Sequence, residues 1–540
     1  MLRLNELKLP LDHPAEVLPA AIAERLGVGV DQLRSWKIWR RANDARRKAA
    51  ILLIYTVDVE LADEAEALAR LAGDHRVQPT PDTAYYPPVK APANHQGSRP
   101  VVIGAGPCGL FAGLLLAEMG LRPIIVDRGK VVRERTKDTW GLWRKSDLNP
   151  ESNVQFGEGG AGTFSDGKLY SQIKDPRFLS RKVLTEFVEA GAPEEILTEA
   201  HPHIGTFRLV TMVEAMRKKI EALGGEYRWT TRVTDLEIER DAGQGQLRGL
   251  HLEDGSFLET DHAVFAIGHS ARDTFAALCE RGVYAEAKPF SIGFRIEHPQ
   301  SWVDQARFGS CAGHPDLGAA AYTLSHHCAN GRTVYSFCMC PGGTVVAATS
   351  EEGRVVTNGM SQYSRNERNA NSGLVVGISP ADYGSDHPLA GIELQRELES
   401  RAFVLGGGGY FAPGQRVGDF VAGRASTAIG EVVPSYKPGV TPTDLSTALP
   451  DYAIAALREA LPVFGRQIPR YDDPDAFLTG VETRTSSPVR FTRGKDLQSL
   501  NTKGLFPAGE GCGYAGGILS AAVDGIKVAE AVAASLVAGR

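Results

Sequence analysis

The stretch VVIGAGPCGLFAGLLLAEMGLRPIIVD, residues 101 to 127, constrains the fold more than any other part of the chain. Its apolar VVI segment has strand character, and Gly104, Gly106 and Gly109 follow with the spacing G-x-G-x-x-G as a helical pattern begins. The first glycine permits a tight turn, the second lets backbone approach a pyrophosphate, and the third lets the helix pack closely on the strand. Asp127 ends the second strand, where it is expected to accept hydrogen bonds from ribose hydroxyls. The stretch therefore predicts a Rossmann-like unit whose helix N-terminus faces a dinucleotide phosphate.

The C-terminal stretch NTKGLFPAGEGCGYAGGILSAAVDGIKVAEAV distinguishes between the possible dinucleotides. It reads as a short apolar strand, a glycine-rich turn over residues 509 to 517, and a long helix from about Ile518. A second helix N-terminus is thereby directed at a ligand, which an NAD-only dehydrogenase does not need. A third segment, DHAVFAIGHSARDT, carries an apolar strand into Gly268, and Val233 is placed where a returning strand meets the adenine. Together these segments predict that the dinucleotide is FAD.

Several long motifs make a family resemblance specific. They are NVQFGEGGAGTFSDGKLY from Asn153, HPHIGT from His201, FSIGFRIEHPQ from Phe290, YSFCMCPGG from Tyr335, and the AGEGCGYAGGILSAAVDGI ending. With them, most of the chain resembles bacterial FAD-dependent dehydrogenases of unassigned substrate, within the glutathione-reductase-type flavoprotein superfamily. The resemblance implies a flavin domain interrupted by a substrate domain, FAD bound without a covalent link, and a role for the loop EGGAGTFS at the cofactor. Where several members of the superfamily have Asp, this chain has Glu510, so that contact is expected from a longer side chain or from backbone.

The motifs and the resemblance together give one set of expected cofactor contacts. These are Gly104, Gly106, Pro107, Gly109, Asp127, Arg128, Gly159, Gly160, Ala161, Gly162, Thr163, Val233, Gly268, Gly509, Glu510, Ala515, Gly516, Gly517 and Ile518.

The catalytic candidates lie in the expected substrate domain. Arg295 in GFRIEH could anchor a carboxylate with its planar fork, or could pair with Glu297 or another acid. Tyr436 in VVPSYKPG could donate or accept a proton. His203 and His269 flank cofactor segments and are more typical of structural histidines. The sequence predicts no metal site.

A second nucleotide fold would indicate a dedicated nicotinamide site, and the best candidate for one is AFVLGGGGYFAPGQ. Its third glycine is missing and Pro413 blocks a helix, so a loop near the substrate entrance is predicted. The flavin would then be reduced by substrate, by a transiently bound nicotinamide, or by a partner flavoprotein.

The chain has seven cysteines, an odd number that favours reduced thiols over a disulfide framework. Cys338 and Cys340 form the only close pair, with C-x-C spacing. Two buried small residues are the favoured interpretation, with thiols facing a substrate pocket and metal binding as alternatives.

Residues 1 to 80 are predicted to form a small α+β module, joined to the flavin domain by a proline-rich linker over residues 81 to 99. Within the module, RSWKIWRRANDARRK is basic, with Trp36 and Trp39 interleaved. Such a run could bind RNA, but a solvated face or a strand that packs its indoles on a neighbour is favoured. The net charge of −6 gives no overall attraction for nucleic acid.

The complete prediction is an α/β protein with a Rossmann-like FAD-binding domain that a mixed-sheet substrate domain interrupts. The boundaries are residues 100 to 274 for the first part of the FAD domain, 275 to 440 for the substrate domain, and 441 to 540 for the return segment and C-terminal helix. We expect a cytoplasmic oxidoreductase that transfers hydride between a small organic substrate and FAD, with no membrane partner, an unknown electron acceptor and an unknown oligomeric state. The alternatives are an NAD(P)H-using flavin reductase or monooxygenase, and a flavin-bearing RNA- or protein-binding protein.

Overall fold

The computed structural model describes residues 1–92, 97–241 and 243–538. The N-terminal residues form an antiparallel sheet of strand order β2-β3-β1-β4. Leu2 and Leu4 alternate as buried residues of the first strand, and so do Leu7 and Leu9 after a shift of register between Leu4 and Leu7. The elements are β1 (Leu2–Pro10), α1 (Val17–Leu26), β2 (Leu33–Asp44), β3 (Leu52–Leu61), α2 (Glu64–Arg70) and β4 (Val77–Pro79).

The next part of the chain carries the glycine fingerprint and, after it, three antiparallel strands, β8 to β10. Its elements are β5 (Val101–Ile103), α3 (Pro107–Glu118), β6 (Ile124–Val126), α4 (Val132–Lys145), α5 (Leu179–Glu189), α6 (Thr206–Ala222), β7 (Glu226–Arg228), β8 (Val233–Asp241), β9 (Gln244–Leu252), β10 (Phe257–Glu259), β11 (Ala263–Phe265) and α7 (Arg272–Glu280).

The central part is rich in strands. Its elements are β12 (Ala285–Ala287), β13 (Phe290–Pro299), α8 (Gln300–Phe308), β14 (Ser325–His327), β15 (Thr333–Cys340), β16 (Gly343–Ala347), β17 (Thr357–Ser361), β18 (Asn369–Ile378), α9 (Ala390–Leu405), β19 (Ala412–Arg416), α10 (Val417–Ala422), β20 (Val440–Pro442), α11 (Asp451–Gln467) and β21 (Phe477–Glu482).

The C-terminal part returns to the fingerprint. It contains β22 (Val489–Phe491), β23 (Thr502–Lys503), β24 (Leu505–Pro507) and α12 (Ile518–Ala538).

A parallel sheet of order β24-β11-β5-β6-β7 joins the second and fourth parts. Its strands β5, β6, β11 and β24 are buried on both faces, as parallel strands covered by helices are. Helices α3 and α12 pack tightly beside each other, because a Cβ at Gly525 would lie 2.2 Å from the carbonyl oxygen of Cys108. This topology confirms the predicted Rossmann-like α/β fold.

The larger sheet has seven strands in the order β14-β15-β18-β13-β21-β19-β20. Strands β13 and β18 at its centre pair antiparallel along their whole length, and nearly every residue of both is buried. Strand β21 belongs to this sheet although it follows the boundary at residue 440 that the sequence predicts. A short apolar run such as FLTGVE carries no local signal of the sheet it joins, since long-range pairing decides this.

Candidate active-site cleft

A cleft of about 390 Å³ lies where the parallel sheet, the glycine fingerprint and the ends of strands β15 and β21 of the seven-stranded sheet meet. The N-termini of α3 at Pro107 and α12 at Ile518 both border it. Backbone N–H groups in the first turn of a helix have no helical partner, and the helix dipole adds partial positive charge there. The cleft therefore presents the free backbone N–H groups of two helix N-termini to an anionic or electron-rich ligand.

The fingerprint glycines are required by close backbone contacts. Gly104 has φ of +100°, and a Cβ on Gly109 would lie 1.8 Å from the Gly104 carbonyl oxygen. Gly106 packs against Gly160 of the second glycine-rich loop, where a Cβ on Gly160 would meet the Gly106 Cα at 2.8 Å. The two loops approach so closely only because neither has a side chain at the contact.

Asp127 ties the fingerprint turn to the loop that follows β6. Its Oδ2 accepts a hydrogen bond from the Ala105 N–H and its Oδ1 accepts one from the Gly129 N–H, both at 2.8 Å. A carboxylate has about four acceptor positions. Asp127 also lines the cleft, so acceptor capacity is left for the ribose hydroxyls that the sequence assigns to it.

The second glycine-rich loop, residues 157–165, is held from behind by a fully buried arginine. Arg135 donates to the carbonyl oxygens of Asn153, Val154 and Glu158, each at 2.7 Å. Burial lowers the pKa of Arg135 to about 10. The Glu158 side chain accepts from the Val132 N–H at 2.7 Å and from Arg217 at 2.8 Å. These contacts fix the loop beside the α3 N-terminus, where backbone can approach a phosphate.

The turn before α12 leaves room for a ligand. A Cβ added to Gly268, Gly516 or Gly517 would meet no atom within 4 Å, and all three residues line the cleft. A glycine next to empty space is what close approach of a ligand to the backbone requires. Together with the two helix N-termini and Asp127, this arrangement fits a dinucleotide such as FAD.

The structure brings most of the predicted cofactor residues to the cleft. Those that line it are Gly104, Gly106, Pro107, Asp127, Arg128, Gly160, Ala161, Gly162, Val233, Gly268, Glu510, Gly516, Gly517 and Ile518. The predicted residues outside the lining are Gly109, Gly159, Thr163, Gly509 and Ala515. Thr163 supports the lining from behind, because its N–H donates to the carbonyl oxygen of the lining residue Gly160 at 3.2 Å.

Beyond the nucleotide cradle, the cleft continues to residues that sequence reasoning gave no role. Lys168 follows the second glycine-rich loop, and its Nζ donates to the Met339 carbonyl oxygen. Asn358 and Glu482 come from strands β17 and β21. Cys338 also lines this end, whereas Cys340 is fully buried. Lys168 lies within a quoted motif, but Glu482 is brought here by the long-range pairing of β21 with β13, and Asn358 lies on β17, which pairs with β16.

Glu510 faces the same end of the cleft in a poorly solvated place. Burial raises the pKa of its carboxyl to about 7, against a smaller opposing effect of Lys288. A carboxyl poised near neutral pH can hold or release a proton.

A buried ion cluster joins α7 of the flavin-binding part to the seven-stranded sheet. Glu399, on α9, accepts from Arg272 at 2.7 Å and from Arg484 at 2.9 Å. Burial raises the pKa of Glu399, but the two guanidinium groups outweigh it and hold the pKa well below its usual range. Arg484 and the neighbouring His269 line the cleft. Burial and the two arginines lower the pKa of His269 to about 3, so its imidazole is neutral at physiological pH.

The catalytic candidate Arg295 does not present its guanidinium to the cleft. It is fully buried and forms a two-point ion pair with Glu482, with Nε to Oε2 at 2.9 Å and Nη2 to Oε1 at 3.1 Å. Glu297 instead accepts from Ser435 Oγ at 2.6 Å. The geometry favours the alternative in which Arg295 pairs with another acid, because few of its donors remain for a substrate.

The other candidate, Tyr436, is also outside the cleft lining. Its side chain is buried and its hydroxyl donates to the Tyr410 carbonyl oxygen at 3.0 Å. Burial raises the pKa of Tyr436 far above its usual range, which opposes loss of its proton. His203 bonds the Tyr363 carbonyl oxygen at 3.0 Å, as a structural histidine does.

The tetraglycine segment at 406–409 links the end of α9 to β19 and opens no helix. Gly407, Gly408 and Gly409 have positive φ. The segment therefore forms a turn, and the geometry around it is not that of a phosphate-binding fingerprint.

The basic aromatic segment lies on β2, an edge strand of the N-terminal sheet. The guanidinium groups of Arg3 and Arg181 lie over the Trp39 ring, at 3.8 and 4.3 Å from its centroid. Arg41 pairs with Glu199 at 2.7 Å. Part of this segment therefore docks the module onto the rest of the chain, while Trp36 is 38% exposed.

One group of metal-ligand side-chain types occurs away from the cleft, among the described residues. His326, Cys328 and Glu459 have ligand atoms within 4.8 Å of one another. His326 already pairs with Glu459 at 3.1 Å, and Cys328 donates to the Ala456 carbonyl oxygen at 3.5 Å. The prediction of no metal site stays a prediction.

The fold and the cleft define a flavoprotein of the Rossmann-like α/β class. Residues 289–485 match the family model described as FAD-dependent protein, C-terminal domain-like, and residues 1–60 match a domain of unknown function. With the fit of the cleft, the family match confirms the expected cofactor, FAD. An uncharacterized protein of Clostridium beijerinckii is 46% identical over 530 residues, which are 98% of each chain. The chain belongs to the family of that protein.

Several solved structures resemble the chain over much of its length. Halogenase PltM is 12% identical, with a TM-score of 0.36, over 82% of this chain and 70% of that one. CtdE in complex with FAD is 11% identical, with a TM-score of 0.30, over 81% and 89%. L-amino acid deaminase from Proteus vulgaris is 12% identical, with a TM-score of 0.32, over 84% and 92%. At these TM-scores the likeness does not decide the activity of this chain.

Among the described helices, none combines the length and apolar character needed to cross a membrane.

Proposed function

We propose that the protein is an FAD-dependent dehydrogenase of the glutathione-reductase-type superfamily, which transfers hydride between a small organic substrate and non-covalently bound FAD. The observation that supports this most is the continuation of the cleft. It runs past the nucleotide cradle to polar side chains of the strand-rich central part, among them Asn358 on β17 and Glu482 on β21. A structural flavin would need no such extension.

FAD supplies the hydride acceptor when it is bound. The chain's own residues would bind and orient the cofactor. Gly106 and the α3 N-terminus, placed by the tight turn at Gly104, would hold the pyrophosphate, and Asp127 would accept from the ribose. The α12 N-terminus would present N–H groups to the cofactor, and Gly516 and Gly517, which have no side chains, would let it approach the backbone.

The side chains at the far end of the cleft support substrate handling. Lys168 carries positive charge beside Asp166, at 3.8 Å, and can attract an anionic group. Glu510 can hold a proton at its carboxyl near neutral pH, because burial raises its pKa to about 7. These residues replace Arg295 and Tyr436 as our candidates for contact with substrate.

We also propose that the substrate-binding unit extends to about residue 485, because strand β21 pairs with β13 and β19. The flavin-binding unit then comprises the segment from residue 100 and the chain that follows β21. The small N-terminal module docks through β2.

The deciding experiment is an anaerobic titration of the purified yellow protein with small acids, amines, alcohols, NADH and NADPH, followed by visible absorption. Bleaching of the flavin by an organic compound alone supports the dehydrogenase. Rapid bleaching by NADPH alone would replace it with the reductase or monooxygenase. A protein without flavin colour or affinity for FAD would contradict both. Lys168→Ala should weaken bleaching by an anionic substrate, whereas Lys174→Ala, a matched exposed lysine outside the cleft, should not.

A further inference from the structure

The segment Cys338–Met339–Cys340 has a local conformation that neither the sheet nor the proposed hydride transfer requires. Strand β15 pairs with β18 regularly as far as Phe337, and the register shifts before Cys340. Cys338 has φ of +43°, which is uncommon for a residue with a side chain. The segment folds back at this irregularity, so that the Cys340 thiol donates to the Cys338 carbonyl oxygen at 3.3 Å.

The two thiols differ in access. Cys338 is partly exposed and lines the cleft, while Cys340 is fully buried behind it. Thiol exchange needs one sulfur that a substrate can reach and benefits from a second that only the first sulfur can meet. Cys338 is the sulfur that the cleft reaches, and Cys340 is the buried sulfur two residues away.

Two cations hold the segment and lie beside its sulfurs. Arg295 Nη1 donates to the Cys338 carbonyl oxygen at 2.9 Å, and Lys168 Nζ donates to that of Met339. The interaction with the Cys340 thiol, together with the charges of Lys168 and Arg295, outweighs burial and lowers the pKa of the Cys338 thiol well below its usual range. The same interaction and burial raise the pKa of Cys340. Because Cys338 is also the thiol that the cleft reaches, it is the nucleophile of the two.

We propose that Cys338 and Cys340 form a redox-active dithiol that reduces small disulfide compounds entering the cleft. The Cys338 thiolate attacks one sulfur of R–S–S–R, the S–S bond breaks, and a Cys338–S–S–R bond forms. The leaving RS⁻ takes up the proton that Cys338 released. Cys340 then loses its proton and attacks the Cys338 sulfur, the intramolecular disulfide forms, and the second RS⁻ takes that proton. The protein loses two electrons and two protons, and the compound gains both.

This inference deepens the proposed function by naming a substrate class for the same cleft, and it rests on that function only for renewal of the dithiol by electrons from FAD. The exchange itself can be measured on the thiols. Trypsin cleavage after Arg332 and Arg354 gives a peptide, residues 333 to 354, whose only cysteines are Cys338 and Cys340. One peptide mass therefore reports the state of the pair.

Reduced, desalted holoprotein is treated anaerobically with hydroxyethyl disulfide at neutral pH, and the reaction is quenched with acid. The remaining thiols are then alkylated, and the mass of the tryptic peptide is measured. We expect the peptide to lose both alkylation sites and to carry an internal disulfide. Cys340→Ser should instead accumulate mercaptoethanol on Cys338. Cys338→Ser should slow the reaction of this peptide roughly tenfold, because only the buried thiol remains. The control, Cys279→Ser, lies outside the cleft lining and should match the unmodified protein.

Two results would overturn the proposal. One is a wild-type peptide that stays alkylated at both cysteines, or reacts no faster than the half-buried Cys311 of the same molecule. The other is a Cys340→Ser protein that binds FAD yet leaves Cys338 free. The flavin spectrum gives a separate readout, so failure of hydride transfer with intact disulfide formation would reject the proposed function and not the dithiol.

Discussion

Arg295 and Glu482 form a two-point ion pair inside the seven-stranded sheet, with donor-to-acceptor distances of 2.9 and 3.1 Å. The arginine is fully buried and the glutamate side chain is 3% exposed. Arg295 also donates to the Cys338 carbonyl oxygen, so the pair connects strands β13 and β21 to the cysteine segment at the cleft. Arg295 thus positions the wall of the cleft.

Arg295→Met should destabilise the seven-stranded sheet, because it leaves the Glu482 carboxylate buried without its partner. Breaking a buried pair in this way costs about 3–5 kcal/mol. Denaturant unfolding measures the loss. The control is Glu397→Gln at the exposed pair with Arg401, where we expect less than about 1 kcal/mol. If Arg295→Met unfolds like the unmodified protein and only raises KM, Arg295 is a substrate anchor after all.

Glu399→Gln should weaken the junction between α7 and the sheet. The substitution leaves Arg272 and Arg484 without the carboxylate that they share, and we expect a loss of about 3 kcal/mol. Glu393→Gln, at an exposed partner of Arg396 on the same helix, is the matched control. Equal thermal midpoints for the two variants would show that the cluster contributes nothing beyond a surface pair.

How far the sequence could predict the site depends on how local each contact is. Gly104, Gly106 and Gly109 act within one turn of chain, so their spacing alone reveals their role. The α12 N-terminus could be predicted for the same reason. Glu482 reaches the cleft only because β21 pairs with β13, and no local pattern encodes that pairing.

The catalytic candidates also show that the sequence does not reveal which side chains reach the cleft. Arg295 and Tyr436 have residue types suited to chemistry, but burial and partners decide whether a side chain reaches a ligand. Arg295 pairs with Glu482, and Tyr436 bonds the Tyr410 carbonyl oxygen. Neither partner is near in sequence. The residue type therefore indicates what chemistry a side chain could perform, but not where the side chain lies in the fold.

Gly517→Ala should lower the affinity for FAD without changing the stability of the apoprotein. A Cβ here meets no atom within 4 Å and projects into the cleft, so it takes space from the cofactor alone. We expect Kd for FAD to rise about tenfold, or ~1.4 kcal/mol. Gly377→Ala is the control, since its Cβ would lie 4.0 Å from the Thr333 carbonyl oxygen, outside the cleft lining. An unchanged Kd for Gly517→Ala would place the cofactor elsewhere in the cleft.

Trp39→Ala and Trp36→Ala separate docking of the N-terminal module from any binding role. Arg3 and Arg181 both lie over the Trp39 ring, so its removal should cost about 1–2 kcal/mol of stability. Trp36 is 38% exposed and should be near neutral for folding. Thermal unfolding tests both. A salt-dependent affinity for RNA that only Trp36→Ala removes would instead favour the RNA-binding alternative.

Glu510→Gln should change how stability depends on pH. Burial raises the pKa of Glu510 from 4.5 to about 7 in the folded protein. Between these values the folded state holds a proton that the unfolded state has lost, so stability falls as pH rises, by at most about 1.4 kcal/mol per pH unit. Solvent in the cleft reduces this figure. The glutamine has no such penalty, so the Tm of Glu510→Gln minus that of the unmodified protein should grow from pH 5 to pH 7 and then level off. A difference that stays constant over this range would show that the Glu510 carboxyl is ionised throughout and holds no proton for the substrate.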